Sequence, residues 1–135
     1  RFRRIKAAMD KLMGVIDASS HKATITHSRL IDQVIESLRE KPERKASIDS
    51  LAREAGMSPS LFISQFKHLT GLPPYHFQLA CRLEKSKCLL AETATPITKL
   101  AFDLGFCASQ HFSSHFKRAY GITPHVWRKQ KRHAR

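Results

Sequence analysis

Residues 47–74 read SIDSLAREAGMSPSLFISQFKHLTGLPP, and residues 95–124 read TPITKLAFDLGFCASQHFSSHFKRAYGITP. Set side by side, the two stretches are copies of one unit. Ile48, Leu51, Ala52, Gly56 and Met57 return as Ile97, Leu100, Ala101, Gly105 and Phe106, at an offset of 49. Phe62, Phe66, Lys67, Gly71, Leu72 and Pro74 return as Phe112, Phe116, Lys117, Gly121, Ile122 and Pro124, at an offset of 50. One residue has therefore been inserted in the second copy, between Gly105 and Phe112. Two copies at this period do not make a solenoid.

Each copy reads as a short helix, a glycine turn and a second helix. Ser47 is placed to cap the first helix, with Ile48, Leu51, Ala52 and Ala55 on one face. Gly56 suits the left-handed conformation that ends it. Ser58-Pro59 restarts the chain with a capping serine and a proline at the first helical position. Leu61, Phe62, Phe66 and Leu69 form the expected apolar stripe of the second helix, which Gly71 closes. In the second copy Thr95-Pro96 opens, Gly105 turns, Phe112 and Phe116 pack and Gly121 closes.

Working outward, Pro73-Pro74 starts a long helix running from about Tyr75 to Glu92. Phe77, Ala80, Cys81, Cys88 and Leu89 supply its stripe. At roughly 18 residues it is about 27 Å long. Leu30, Ile31, Val34, Ile35 and Leu38 make an amphipathic helix ahead of the first copy, ending before Lys41-Pro42. A last helix begins at Thr123-Pro124 and carries Val126, Trp127 and Arg128. The expected fold is all-α, about seven helices, with two helix-turn-helix units (about 47–71 and 95–121) joined by a central helix at about 74–92. Residues 1–27 stand apart. Phe2, Ile5, Met9, Leu12 and Ile16 follow heptad spacing, and residues 17–26 read as a polar linker. Together with an opening Arg1, this segment reads as the end of a missing N-terminal domain, with a dimer contact as the sharper reading of its seam.

The chain has 135 residues, 24 Lys and Arg against 11 Asp and Glu, and a formal charge of +13. At 41% apolar residues it is too hydrophobic for a disordered basic tail. No apolar run reaches the roughly 18 residues of a membrane span. The first 45 residues mix 11 basic with six acidic side chains, whereas residues 104–135 hold seven Lys and Arg and no acid. Such a charge selects anionic partners: nucleic acid, an acidic protein or a membrane surface. The membrane surface is disfavoured because the two units account for the large apolar side chains. A basic helical adaptor for an acidic protein remains the alternative.

A helix–glycine turn–helix is a common way to seat one helix in the DNA major groove. Successive major grooves on one face of DNA lie roughly 34 Å apart. A spacer helix of about 27 Å, plus the width of the units, holds two reading helices at about that separation. Double-stranded DNA is therefore the expected partner. Lys67, Lys117, Arg118, Arg128 and Lys129 are candidates for phosphate contact, Lys67 and Lys117 being repeat equivalents.

Three cysteines in no framework spacing point to a reducing compartment. Cys81 and Cys88 are seven apart, and Cys107 precedes His111 by four. The paired ligand spacing of a metal site is absent, so no metal and no cofactor is expected. There is no glycine-rich phosphate loop, nucleophile elbow or zinc-protease motif, and no catalytic residue is assigned.

The series Arg82, Leu89-Leu90, Ile97, Ala101, Gly105-Phe106, Phe112, Phe116-Lys117, Gly121, Thr123-Pro124 and Trp127-Arg128 resembles the DNA-binding domain of the AraC/XylS family of bacterial transcription regulators, over about residues 28–129. The family usually has tyrosine at Trp127, alanine at Ser86 and a capping Ser or Asp at Ala108; Ser109 is expected to cap in place of the last. The resemblance implies base-reading positions at Ser60, Ile63 and Ser64 in the first unit, and at Ser109, Gln110, Ser113 and Ser114 in the second. It adds Arg82 to the phosphate candidates, although pairing with a nearby acid is an equal reading. It further implies a bacterial, cytoplasmic, nucleoid-associated regulator, more often an activator. RNA polymerase is the implied partner, and a separate N-terminal sensing or dimerisation domain is implied as well. Ile63 can touch a thymine methyl, and Gln110 can bridge adenine. No arginine stands at these positions, which predicts weak direct readout and a larger part for DNA shape.

Overall fold

The structure is a computed structural model and describes residues 26–133. Seven helices and no strand occur among them: α1 Thr26–Glu40, α2 Ile48–Glu54, α3 Pro59–Thr70, α4 Pro74–Glu92, α5 Ile97–Asp103, α6 Ser109–Tyr120 and α7 Pro124–His133. The heptad seam from Phe2 to Ile16 and residues 17–25 of the linker lie outside the described residues, while Thr26, expected in the linker, is the first residue of α1.

Capping chemistry sets most boundaries. The Ser47 and Ser58 hydroxyls accept from the amides of Ser50 and Leu61, at 3.1 and 3.3 Å. Thr123 accepts from Val126 at 3.2 Å and opens α7. The two turns close alike: Met57 N donates to Ala52 O and Phe106 N to Ala101 O, five residues back in each case. The repeat thus holds at the level of single hydrogen bonds. α1 begins two residues ahead of the expected Ser28, and α4 includes Pro74.

Two expected caps differ. Pro96, not Thr95, precedes α5, and it offers no side-chain acceptor. Ala108 occupies the cap position of α6 with extended backbone, and Ser109 is the first helical residue, so α6 starts uncapped. A serine already inside the helix cannot turn its oxygen back onto the first free amides.

Two cores flank one shared helix. The first gathers Ile31, Val34 and Leu38 of α1, Leu51 and Ala52 of α2, Phe62 and Phe66 of α3, and Phe77, Ala80 and Cys81 of α4. The second gathers Leu79, Leu83 and Leu90 of α4 with Leu100, Ala101, Leu104, Phe106, Phe112 and Phe116. Trp127 packs against it, its ring 5.9 Å from that of Phe116, and its Nε1 donates to Lys87 O at 3.4 Å. Ser86 is buried and donates to Leu83 O at 2.6 Å, so its hydroxyl costs little there.

The buried stripes are narrower than the apolar spacing predicts. α3 buries only Phe62, Phe66 and Thr70, while Leu61 and Leu69 are 41% and 43% exposed. The two phenylalanines, four residues apart, fill the small core and leave the flanking leucines outside. Cys88 is exposed because α4 turns its buried face from one core to the other along its length. Cys107 is exposed as well.

Candidate nucleic-acid interface

The repeat places α3 and α6 in equivalent positions, and their exposed faces form the candidate surface. Rotation by 100° per residue puts Leu61, Ser64 and His68 opposite the buried line of Phe62, Phe66 and Thr70. In α6 the equivalent positions opposite Phe112 and Phe116 are His111, Ser114 and Arg118. All six are exposed. Ser60 and Lys67 flank them in α3, as Gln110 and Lys117 do in α6, and these four are exposed too.

The structure therefore brings Ser60, Ile63, Ser64 and Lys67 to one exposed surface of α3. It brings Gln110, Ser114, Lys117 and Arg118 to the matching surface of α6. Ile63 is 39% exposed at the edge of its face. Ser109 and Ser113 are half-buried and sit to the side of theirs. Leu61, His68 and His111 belong to these faces and were missed by sequence reasoning. Leu61 was spent on the core. The signal for His111 was present, since the 50-residue offset makes it the partner of Leu61.

Charge follows the same division. α3, α6 and α7 carry no Asp or Glu at all. The acids of the described residues lie on α1, α2, α4, α5 and the α1–α2 loop, where several are neutralised: Glu36 by Arg39, Glu54 by Arg44, Glu43 by Lys85, Glu84 by Lys87 and Asp103 by Lys99. Burial pushes the Glu43 carboxyl up, but hydrogen bonding to its own backbone and the Lys85 ammonium outweigh this and hold it below the ordinary value. Two acid-free faces on an otherwise mixed-charge body suit a polyanion.

Four further basic residues lie off these two faces. Lys129 is exposed on α7. Arg128 turns inward: its Nε donates to Leu90 O at 3.0 Å, and Arg132 donates to Thr93 O at 2.9 Å. Both satisfy carbonyls at the C-terminal end of α4, where cations are favoured. Arg82 is half-buried and forms no ion pair with an acid among the described residues. Its Nε donates to Pro42 O at 2.6 Å, Nη2 to Arg44 O at 3.2 Å and Nη1 to Gly105 O at 3.3 Å. Burial lowers the pKa of Arg82 and of Arg128; Tyr75, Cys107 and Glu43 oppose this at Arg82, and the Arg132 charge adds to it at Arg128.

The end of α6 is also tied to α4. Tyr120 donates to Glu84 at 3.2 Å, and Lys87 lies 4.5 Å from the Tyr120 ring centroid. Burial, then Glu84, pushes the Tyr120 phenol well above its ordinary range. No group of three His, Cys, Asp or Glu side chains able to hold a metal ion occurs among the described residues. No helix among them is long and apolar enough to cross a membrane.

Comparison with known proteins places this geometry. A family model described as a helix-turn-helix domain matches residues 51–130. The chain is 33% identical over 100 residues to the HTH-type transcriptional regulator MtrA of Neisseria gonorrhoeae, covering 74% of this chain and 33% of that protein. It is 36% identical over 95 residues to the probable transcriptional regulator LumQ of Photobacterium leiognathi, covering 70% and 37%. It is 35% identical over 78 residues to the HTH-type transcriptional activator RhaS of Escherichia fergusonii, covering 58% and 28%. The chain thus spans about a third of the length of these relatives. Among solved structures, the DNA-binding domain of AdpA, a global transcriptional factor in complex with a target DNA, superposes with a TM-score of 0.75 at 25% identity, covering 78% of this chain and 96% of that one. A transcriptional regulator of the AraC type from Chromobacterium violaceum superposes with a TM-score of 0.70 at 27% identity, covering 77% and 93%. The chain belongs to the AraC-type helix-turn-helix family of transcription regulators.

Proposed function

We propose that this chain is the DNA-binding part of a bacterial transcription regulator, which seats α3 and α6 in two adjacent major grooves. One observation carries the reading: two repeat-equivalent helices present exposed, acid-free faces and are held by two cores that share α4. α4 has 19 residues, about 28 Å of helix, which suits the roughly 34 Å between successive major grooves once the width of the units is added. The AdpA domain, solved on its target DNA, supports the same reading.

Within it, Ser60, Leu61, Ile63, Ser64, Gln110, His111 and Ser114 face base edges, with Ser109 and Ser113 at the margin. Lys67, Lys117, Arg118 and Lys129 neutralise phosphates. Arg82 and Arg128 are spent on internal carbonyls and act by holding the units in place. Residues 28–135 form this module, and residues 1–27 connect it to a sensing or dimerisation domain. The whole regulator works in the bacterial cytoplasm, as an activator that engages RNA polymerase; the RhaS relative supports the sign of the effect. The adaptor reading has no observation in its favour.

Titration of a labelled random-sequence duplex at increasing salt tests the proposal. Log affinity should fall linearly with log salt, with a slope of about −0.9 for each phosphate neutralised. A flat response, or no binding at low salt, contradicts it.

A further inference from the structure

We infer that Arg82 is a positioning residue: its guanidinium fixes the separation and phase of α3 and α6, so that the chain accepts one spacing between the two DNA boxes it reads. The inference rests on the DNA-binding reading above and concerns how that reading is made geometrically strict.

The two units share α4, and Ala119 of α6 packs against both cores. The junction adds directed hydrogen bonds to this apolar contact. Pro42 and Arg44 lie in the loop between α1 and α2, two helices of the first core, whereas Gly105 is the turn of the second unit. One guanidinium donates to carbonyls of all three. One turn earlier on α4, Gln78 donates to Pro42 O at 3.1 Å and also to Arg44 O. Lys85 pairs with Glu43 at 3.1 Å, and Lys45 lies 5.9 Å from the ring centroid of Phe102 on α5. The loop of the first unit is thus fastened to α4 and, through Arg82, to the turn that launches α6 four residues later.

The fit at the junction is close. A Cβ on Gly105 would meet Arg82 Cζ and Nη2 at 2.9 Å and Glu43 O at 3.1 Å. A planar, charged fork is suited to three carbonyls at fixed angles, and an ammonium or a thioether is not. The lever is long: a swing of about 10° at one end of a helix about 28 Å long moves the other end by about 5 Å, more than the roughly 3.4 Å between base pairs. Loss of the clamp should therefore show as tolerance of spacing.

The test is selection of bound duplexes from random DNA by the 135-residue chain, its Arg82→Met and Arg82→Lys variants, with thermal unfolding of each. Wild-type protein should enrich two boxes at one separation, and one extra base pair between them should weaken binding about tenfold. Arg82→Met should enrich the same boxes over several separations and lose less than about threefold to the insertion, with Arg82→Lys in between. Arg82→Met that keeps the full discrimination overturns the inference alone. Uniform weakening on every spacing also overturns it, and assigns Arg82 to phosphate contact. Wild-type protein that enriches no paired boxes overturns the DNA reading and the inference with it. If Arg82→Met loses its cooperative melt, Arg82→Lys, which keeps the charge and the aliphatic stem but not the planar fork, carries the same comparison with the same two outcomes.

Discussion

Arg82 and Gly105 are fitted to each other: the guanidinium donates to the glycine carbonyl at 3.3 Å and lies where a side chain on that glycine would begin. Gly105 is therefore constrained twice, by a φ of +95° and by its neighbour. Gly121 has a similar φ of +85° but nothing within 4 Å of a built Cβ. Gly121→Ala should cost about 1–2 kcal/mol of backbone strain. Gly105→Ala should cost that and about 1–3 kcal/mol more, because Arg82 must withdraw from its carbonyls. Chemical denaturation of the two variants checks the difference, and equal losses would contradict it.

Phe116 has no exposed surface and meets the rings of Phe112, Tyr120 and Trp127 at 5.8, 4.7 and 5.9 Å. Phe116→Ala should destabilise the fold by about 3–5 kcal/mol through lost burial and a cavity. Phe102 is 70% exposed, so Phe102→Ala should change stability by no more than about 0.5 kcal/mol. Thermal melts of both variants measure the contrast; a large loss from Phe102→Ala would mean that its edge is covered in solution.

The uncapped start of α6 can be repaired. Ala108 has the extended backbone of a capping residue, φ −148° and ψ 147°, and lacks only an acceptor. Ala108→Ser should stabilise the chain by about 0.5–1 kcal/mol, and Ser58→Ala at the equivalent place in the first unit should cost a similar amount. Denaturant midpoints give both values. An Ala108→Ser variant no more stable than wild type would show that the first amides of α6 are already satisfied.

The thiols should divide by burial. Burial pushes the Cys81 thiol up to about 12, which Arg39 only partly offsets, while Cys88 and Cys107 are exposed. At pH 8 a disulfide reagent should titrate Cys88 and Cys107 quickly and Cys81 only on unfolding, because the thiolate is the reacting form. Three equally fast thiols would place Cys81 outside the first core.

Much of this architecture was legible because it is written in local chemistry. Ser47, Ser58 and Thr123 cap what they precede, and the glycine turns recur at the repeat offset. What failed to show is tertiary. Leu61 and Leu69 look like core residues until the width of the buried face is known, and two phenylalanines set that width. Cys88 continues a stripe that α4 abandons on passing from one core to the other. The partners of Arg82 are backbone carbonyls, 40 and 38 residues before it and 23 after it, and a carbonyl leaves no mark in a sequence. His111 stands four residues after Cys107, a spacing that suggests a ligand pair, whereas its 50-residue offset from Leu61 is what puts it on the exposed face of α6.

The central claim is that α3 and α6 occupy adjacent major grooves on one side of the DNA. Methylation interference on a duplex enriched by the chain tests it directly, because guanine N7 lies in the major groove. The predicted result is two clusters of interfering positions about ten base pairs apart on one face. A single cluster, or two clusters on opposite faces, would contradict it.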